Sequence, residues 1–223
     1  MADAYTSLFD ISGKVAAITG GGGILCGEMS RALGRLGVKV AVLDLAEDAA
    51  NKVAKDVSDQ GGTAVGVACN VLEVESLQQA CATVEKELGP VDILINGAGG
   101  NNPKATTGGE TVADQVDPTF FDLDPAGVQF VFNLNFIGTL LSTQVFAKGM
   151  VERQAGQIIN VSSMSAFAPL TKVGAYSAAK AAVSNFTEWL CVHLAPAQIR
   201  VNAIAPGFFL TDQNRFLLTD EKT

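Results

Sequence analysis

The chain has 223 residues, 48% of them hydrophobic, and a formal net charge of −8. That length suffices for one core, and no shift in composition marks a second, so residues 1–223 are expected to form a single domain. Clustered Lys and Arg are missing, which argues against a nucleic-acid surface, and no uninterrupted apolar run reaches the roughly 18 to 20 residues of a membrane span; a soluble protein acting on small molecules is expected.

The opening MADAYTSLFDISGK has acidic residues and no basic stretch leading into an apolar segment, so it does not read as a signal peptide and the cytoplasm is the default location. The four cysteines, Cys26, Cys69, Cys81 and Cys191, are widely spaced, with no CxxC pair. They read as buried thiols, and Cys191 with His193 makes no metal set, so no metal site is expected.

The first apolar, β-branched run, KVAAIT (14–19), leads through Thr19-Gly20-Gly21-Gly22-Gly23-Ile24-Leu25-Cys26-Gly27 into a helical pattern over 24–36. Glycines let the backbone turn sharply and approach a pyrophosphate, and the helix N-terminus offers unpaired N–H groups. A plain tight turn before a packed helix would look similar. The second run, VKVAVLD (38–44), ends in Asp44, whose carboxylate can accept both ribose hydroxyls of an adenosine and would repel a 2′-phosphate. Leu45 and Ala46 supply no compensating cation, so NAD is preferred over NADP. The alternative for Asp44 is an N-cap of the helix expected over 46–60.

Further strands are expected at TAVGVAC (63–69), VDILIN (91–96), GQIINVS (156–162) and IRVNAIA (199–205), and further helices over 73–88, 126–152 and 174–194. Strands joined by helices run parallel, and right-handed crossovers then place helices on both faces of one twisted sheet, a doubly wound, Rossmann-type α/β fold. Ligands then bind beyond the ends of the first and fourth strands, where the winding reverses. A second glycine cluster, Asn96-Gly97-Ala98-Gly99, stands at the end of the fourth strand. The polar stretch from Gly99 to Pro125 is too long for an ordinary connection and is expected to form a functional loop or short-helix insertion.

Tyr176 and Lys180 lie four residues apart and share one face of the helix over 174–194. A phenol with a pKa near 10 stays protonated at neutral pH, and an adjacent ammonium would stabilise the phenolate. Ser163, at the end of the fifth strand, could bind the reacting oxygen.

With these motifs in place the whole chain resembles the short-chain dehydrogenase/reductase family. The resemblance rests on the glycine loop, Asn96-Gly97-Ala98-Gly99, Asn135 in Leu134-Asn135-Phe136-Ile137-Gly138-Thr139, the Ser163, Tyr176, Lys180 set, and Pro206-Gly207 with Thr211. It implies a catalytic tetrad of Asn135, Ser163, Tyr176 and Lys180. In it, tyrosine is the acid or base, serine polarises the substrate oxygen, lysine holds the nicotinamide ribose, and asparagine holds a water. It implies NAD contacts from Gly20, Gly23, Leu25, Asp44, Asn70, Val71, Asn96, Ala98, Tyr176, Lys180, Pro206, Gly207 and Thr211, and a homo-oligomer, dimer or tetramer.

The chain departs from the family pattern in several places. Ile24 and Cys26 stand where the usual TGxxxGxG has its second and third glycines, with Cys26 small enough to pack against the first strand. Asn70 replaces a frequent acid, and Gly97 replaces the second asparagine of NNAG, removing a side chain beside the cofactor.

TGGGGILCG, NGAGGNNPKATT and PGFFLTDQNRFLL resemble the D-mannonate oxidoreductase, or fructuronate reductase, branch, which implies interconversion of a keto and a hydroxy sugar acid. A reductase of steroids, acyl thioesters or simple alcohols, and a non-catalytic NAD-binding regulator, remain alternatives. Asn101, Asn102, Lys104, Asn214 and Arg215 suit a hydroxylated anion; with Ser163 on the reacting oxygen, Lys104 and Arg215 are expected to converge on its carboxylate. Trp189 falls at core spacing and His193 is read as structural. Resembling proteins continue with a lid, a helix and a seventh strand, so the chain is expected to be a shortened version whose sixth strand forms an open edge.

Overall fold

The computed structural model describes residues 9–209. Six strands, β1 (Val15–Thr19), β2 (Lys39–Asp44), β3 (Thr63–Ala68), β4 (Ile93–Asn96), β5 (Gly156–Val161) and β6 (Ile199–Ile204), form one sheet in the order β3-β2-β1-β4-β5-β6. Every pairing is parallel. The winding reverses between β1 and β4, the place expected from the two glycine clusters, and their carboxyl ends open one crevice.

The helices are α1 (Ile24–Arg35), α2 (Glu47–Asp59), α3 (Val74–Glu87), α4 (Pro125–Phe132), α5 (Gly138–Arg153) and α6 (Gly174–Leu194). Because strand side chains alternate between faces, the core divides in two. Ala16, Ile18, Val40 and Val42 point to Ala50, Val53 and Ala54 of α2 and Cys26 of α1. Val15, Ala17, Ala41 and Leu43 point to Leu77 and Val84 of α3, Phe146 and Met150 of α5 and Leu190 of α6.

Three features differ from the expectations. The helix expected over 126–152 is interrupted by a π-helical turn, Asn133–Ile137, between α4 and α5. There Asn135 donates from Nδ2 to Val131 O at 2.8 Å and to Gly100 O at 2.7 Å, spending a helical carbonyl on a side chain. The combined segment Pro125–Arg153 is long and apolar enough to span a membrane, unlike any run seen in the sequence. Its inner residues Phe146, Ala147 and Met150 instead pack in the core, as in a central helix of a globular fold. Trp189 is 56% exposed rather than in the core, stacked between Phe186 and His193; helical spacing alone could not separate an inner stripe from an aromatic outer one.

Between Gly99 and Pro125 the chain forms three single-turn 3-10 helices, as expected of a short-helix insertion. Among the described residues nothing pairs with the outer edge of β6.

Candidate active site

At the end of β1, Gly20 adopts φ 65°, and a Cβ there would lie 2.8 Å from Ala98 Cα. One at Gly22 would lie 2.7 Å from Ala49 Cβ. The loop after β1 is therefore pressed against the loop after β4 on one side and α2 on the other. The Thr19 hydroxyl accepts from Gly97 N–H at 3.1 Å and Ala98 N–H at 3.2 Å, locking the two loops together. Helix α1 starts after Gly23 with no side-chain cap and no acidic residue in its first turn. Its first N–H groups thus face the crevice as a bare anion site, while Leu25 turns back toward the core.

Asp44 stands at the tip of β2. Its Oδ2 accepts from Gly22 N–H and its Oδ1 from Ala46 N–H, both at 3.0 Å. The N-cap of α2 is Ala46, so Asp44 is not the helix cap. A carboxylate has about four acceptor positions, which leaves two for a pair of ribose hydroxyls. The glycine cradle, the bare helix start and Asp44 together fit a dinucleotide.

Other expected cofactor contacts are built into the protein. Asn70 Oδ1 accepts from Leu72 N–H at 3.1 Å and its Nδ2 donates to Glu73 at 2.8 Å, so the side chain holds the turn before α3. Val71 is buried beneath Gly138, where a Cβ would lie 2.8 Å from Val71 Cγ2. Asn96 is buried and donates to Thr143 Oγ1 at 2.9 Å and Asn160 Oδ1 at 2.8 Å. Its amide nitrogen ties α5 to the sheet, while its Oδ1 is buried with no partner among the described residues. Pro206 O accepts from Met164 N–H at 3.0 Å, fixing the start of the segment after β6, and Gly207 is exposed beside it. Thr211, Asn214 and Arg215 lie outside the described residues.

The tetrad converges from three elements. Asn135 sits at the π turn, fully buried. Besides its two donated bonds it accepts from Gly100 N–H at 3.2 Å, so the amide pins the loop after β4. A Cβ at Gly99 would lie 2.6 Å from Asn135 Oδ1 and 3.1 Å from Lys180 Nζ, so the asparagine and the lysine both crowd the same face of this glycine. Ser163 Oγ accepts from Ser165 N–H at 3.2 Å and from Ser165 Oγ at 3.0 Å, leaving its own proton to be donated.

The phenol of Tyr176 is raised above its ordinary pKa by burial and partly brought back by the neighbouring Ser163 hydroxyl. Lys180 Nζ lies 5.7 Å from the centre of the Tyr176 ring and donates to Val161 O at 2.7 Å. Burial lowers the Lys180 ammonium to about 8, so it stays mostly charged at neutral pH but gives up its proton more readily than an exposed lysine. Burial is the largest influence on each of the two groups.

Asn101 Nδ2 donates to Thr106 Oγ1 at 2.9 Å, while its Oδ1 is buried with no partner among the described residues. Asn102 caps the first 3-10 turn, accepting from Lys104 N–H at 2.9 Å. The Lys104 ammonium is exposed and pairs with Asp124 at 3.4 Å.

Sequence reasoning missed three supports. Asn160 pairs with Asn96 in register across β4 and β5 and donates to Thr187 Oγ1 at 2.8 Å, linking α6 to the same polar ladder. Ser162 donates to the Lys180 carbonyl at 3.1 Å and shares a 2.6 Å bond with Ser184, so the lysine is held at its backbone as well as at its ammonium. Thr19 is the third. An asparagine near the end of each of two buried apolar runs, Asn96 in VDILIN and Asn160 in GQIINVS, was the available signal. Among the described residues no group of three metal-ligating side chains occurs.

Residues 14–222 match the model of the short chain dehydrogenase family. This chain belongs to that family. Among short-chain dehydrogenases it is 51% identical over 214 residues to an uncharacterised oxidoreductase of Haemophilus influenzae, covering 95% of this chain and 75% of that one. A crystal structure also from Haemophilus, of a protein provisionally named a D-mannonate oxidoreductase and holding NAD, is 50% identical. It superposes with a TM-score of 0.91 over 98% of this chain and 79% of the other. The 2-dehydro-3-deoxy-D-gluconate 5-dehydrogenase of Formosa agariphila is 32% identical over 96% of this chain and 76% of its own length. The family places this chain among the oxidoreductases.

Proposed function

We propose that this NAD-dependent oxidoreductase interconverts a keto sugar acid and the corresponding hydroxy sugar acid, of the fructuronate and mannonate type. The observation that carries the substrate class is the half identity, over nearly the whole chain, to a protein named for D-mannonate. The 32% identity to a dehydrogenase named for a keto-deoxy sugar acid points the same way. Asn101, with a buried carbonyl oxygen awaiting a donor, offers a partner for a sugar hydroxyl after a modest loop adjustment.

NAD bound by the glycine loop after β1, the start of α1 and Asp44 would supply or receive the hydride. The chain's own residues handle the proton and the substrate oxygen. Ser163, with both lone pairs occupied by Ser165, donates its hydroxyl to the substrate oxygen, and Tyr176 delivers its proton there as the carbonyl becomes an alcohol. Lys180 stands behind the phenol and stabilises the phenolate that remains. Asn135 keeps the Gly99–Gly100 backbone beside Lys180 in place. The tetrad and the NAD contacts are proposed in these roles, with Asn70, Val71 and Asn96 contributing through backbone and packing rather than free side chains.

For the substrate carboxylate we assign Arg215 first and Lys104 second, because Lys104 already has Asp124 as a partner. The same reading includes a cytoplasmic homo-oligomer. The decisive experiment is a screen of NADH oxidation against keto sugar acids, their uncharged analogues and unrelated ketones. Preference for the acids, with Arg215→Ala losing about 10- to 150-fold in kcat/KM on them and little on neutral analogues, is the expected result. Equal turnover of steroid or simple ketones would overturn the substrate class and leave the oxidoreductase chemistry standing.

A further inference from the structure

Cys26 in the first turn of α1 and Gly97 after β4 read in the sequence as two unrelated departures, a side chain gained near the cofactor and one lost. The structure joins them. A Cβ on Gly97 would run into Cys26 Sγ, which stands in the volume that a side chain at 97 would claim. The same Cβ would lie 2.9 Å from Thr19 O, so Gly97 is enclosed between the sulfur and the end of β1.

Gly97 is the middle link of a short bridge. On one side Asn96 is fixed in the buried ladder to Thr143 and Asn160. On the other, Ala98 is held by the Thr19 hydroxyl and pressed against Gly20, and the chain then passes Gly99 beside Lys180 and Asn135. A displacement at Gly97 therefore moves the backbone next to the catalytic lysine. Cys26 belongs to the helix whose uncapped N-terminus would hold the dinucleotide phosphates. The thiol is 4% exposed, and burial pushes it up to about 11, so it remains a neutral thiol at working pH. It acts through its volume, not as a nucleophile.

We propose that Cys26 is a positioning residue whose sulfur, matched to the missing side chain of Gly97, sets the spacing between the phosphate-binding start of α1 and the backbone beside Lys180. The inference rests on the NAD-dependent chemistry of the family and not on the identity of the substrate. Two elements that each hold part of one ligand must keep a fixed separation, and a misplacement of about 1 Å near reacting groups can cost about 100-fold in rate.

The test uses the whole chain, with NADH fluorescence titration, melting temperature without cofactor, and kcat and KM for NADH measured on any ketone the enzyme turns over. Cys26→Gly should weaken NADH binding at least about threefold and lower kcat, and Cys26→Ser, nearest in volume, should restore both to within about twofold. Gly97→Ala should weaken NADH binding about tenfold or more. Adding Cys26→Gly to it should recover part of that loss, the remainder coming from the Thr19 carbonyl. If the two substitutions add independently, or if every variant moves only the melting temperature while NADH affinity and kcat stay put, the pair is ordinary packing and the proposal fails. Should Gly97→Ala not fold, the Cys26→Gly and Cys26→Ser comparison decides by itself.

Discussion

The floor and the rim of the crevice are built on opposite principles. On the floor, where β1, β4 and β5 end, polar side chains are buried and bonded to one another: Thr19 to Gly97 and Ala98, Asn96 to Asn160 and Thr143, Ser162 and Val161 to Lys180. On the rim, the turns between Gly99 and Pro125 are closed by their own Asp and Thr side chains, and Phe120 and Phe121 stand 72% and 82% exposed. Buried polar networks are costly when half satisfied, so the floor tolerates few alternatives and fixes the chemistry. Locally capped turns depend little on the rest of the fold, which leaves the rim free to set what is bound above Tyr176.

The sharpest way to break this division is Tyr176→Phe, which removes the transferable proton but almost no volume. Turnover should fall by about 100- to 10,000-fold while NADH affinity stays within about threefold. Stopped-flow hydride transfer alongside NADH titration separates the two. Near-normal turnover would remove the tyrosine from the acid role and with it the chemical meaning of the floor.

Lys180 tests the cost of burying charge there. Its folded pKa of about 8 lies below the ordinary 10.5, so between those values the unfolded chain holds more protons than the folded one. The folded state therefore gains stability as pH rises through that window, and the full penalty applies below it. Lys180→Met should be inactive, yet at pH 7 more stable than the parent by up to about 3 kcal/mol, less whatever is lost at the orphaned Val161 carbonyl. That advantage should vanish above pH 10.5 in urea titrations. A variant less stable at pH 7 would mean that the Val161 bond outweighs the desolvation.

Much of the floor is legible in the sequence, because glycines, Asp44 and the Tyr176–Lys180 spacing are local signals and apolar runs fix strand order. All six strands fall within two residues of their expected limits. What escapes is non-local. The partner of Asn96 is 64 residues away, and the π turn at Asn135 depends on Gly100, 35 residues earlier. The exchange of volume between Cys26 and Gly97 is likewise invisible until both loops are in place. At the rim the sequence supplies residue types without directions, and so could not tell that Lys104 points to Asp124.

The ladder gives a direct contrast in stability. Asn160→Ala leaves the Asn96 amide short of an acceptor and Thr187 short of a donor, each buried. We expect a loss of about 2–3 kcal/mol in urea unfolding. Phe121→Ser on the rim should change stability by no more than about 0.5 kcal/mol. Comparable losses at the two sites would erase the distinction.

The smallest effect expected is at Lys104. Its ammonium is 72% exposed and 3.4 Å from a partly exposed Asp124, an ion pair worth about 0–1 kcal/mol in water. A substrate carboxylate could draw the ammonium away only by giving up that pair, and Asp124 also caps α4 through Ala126 N–H at 2.9 Å, so it will not follow. The net gain from a lysine already paired is therefore a fraction of one charge-assisted hydrogen bond. Lys104→Ala should lower kcat/KM on a keto sugar acid by less than about threefold, well short of the loss expected at Arg215. Asp124→Asn tests the same point from the other side. It frees the ammonium while keeping an oxygen for the cap, and should raise affinity for charged substrates two- to threefold or so while leaving neutral ones unchanged. A tenfold loss in Lys104→Ala, restricted to charged substrates, would mean that the pair with Asp124 opens on binding, and that this part of the rim moves with the substrate.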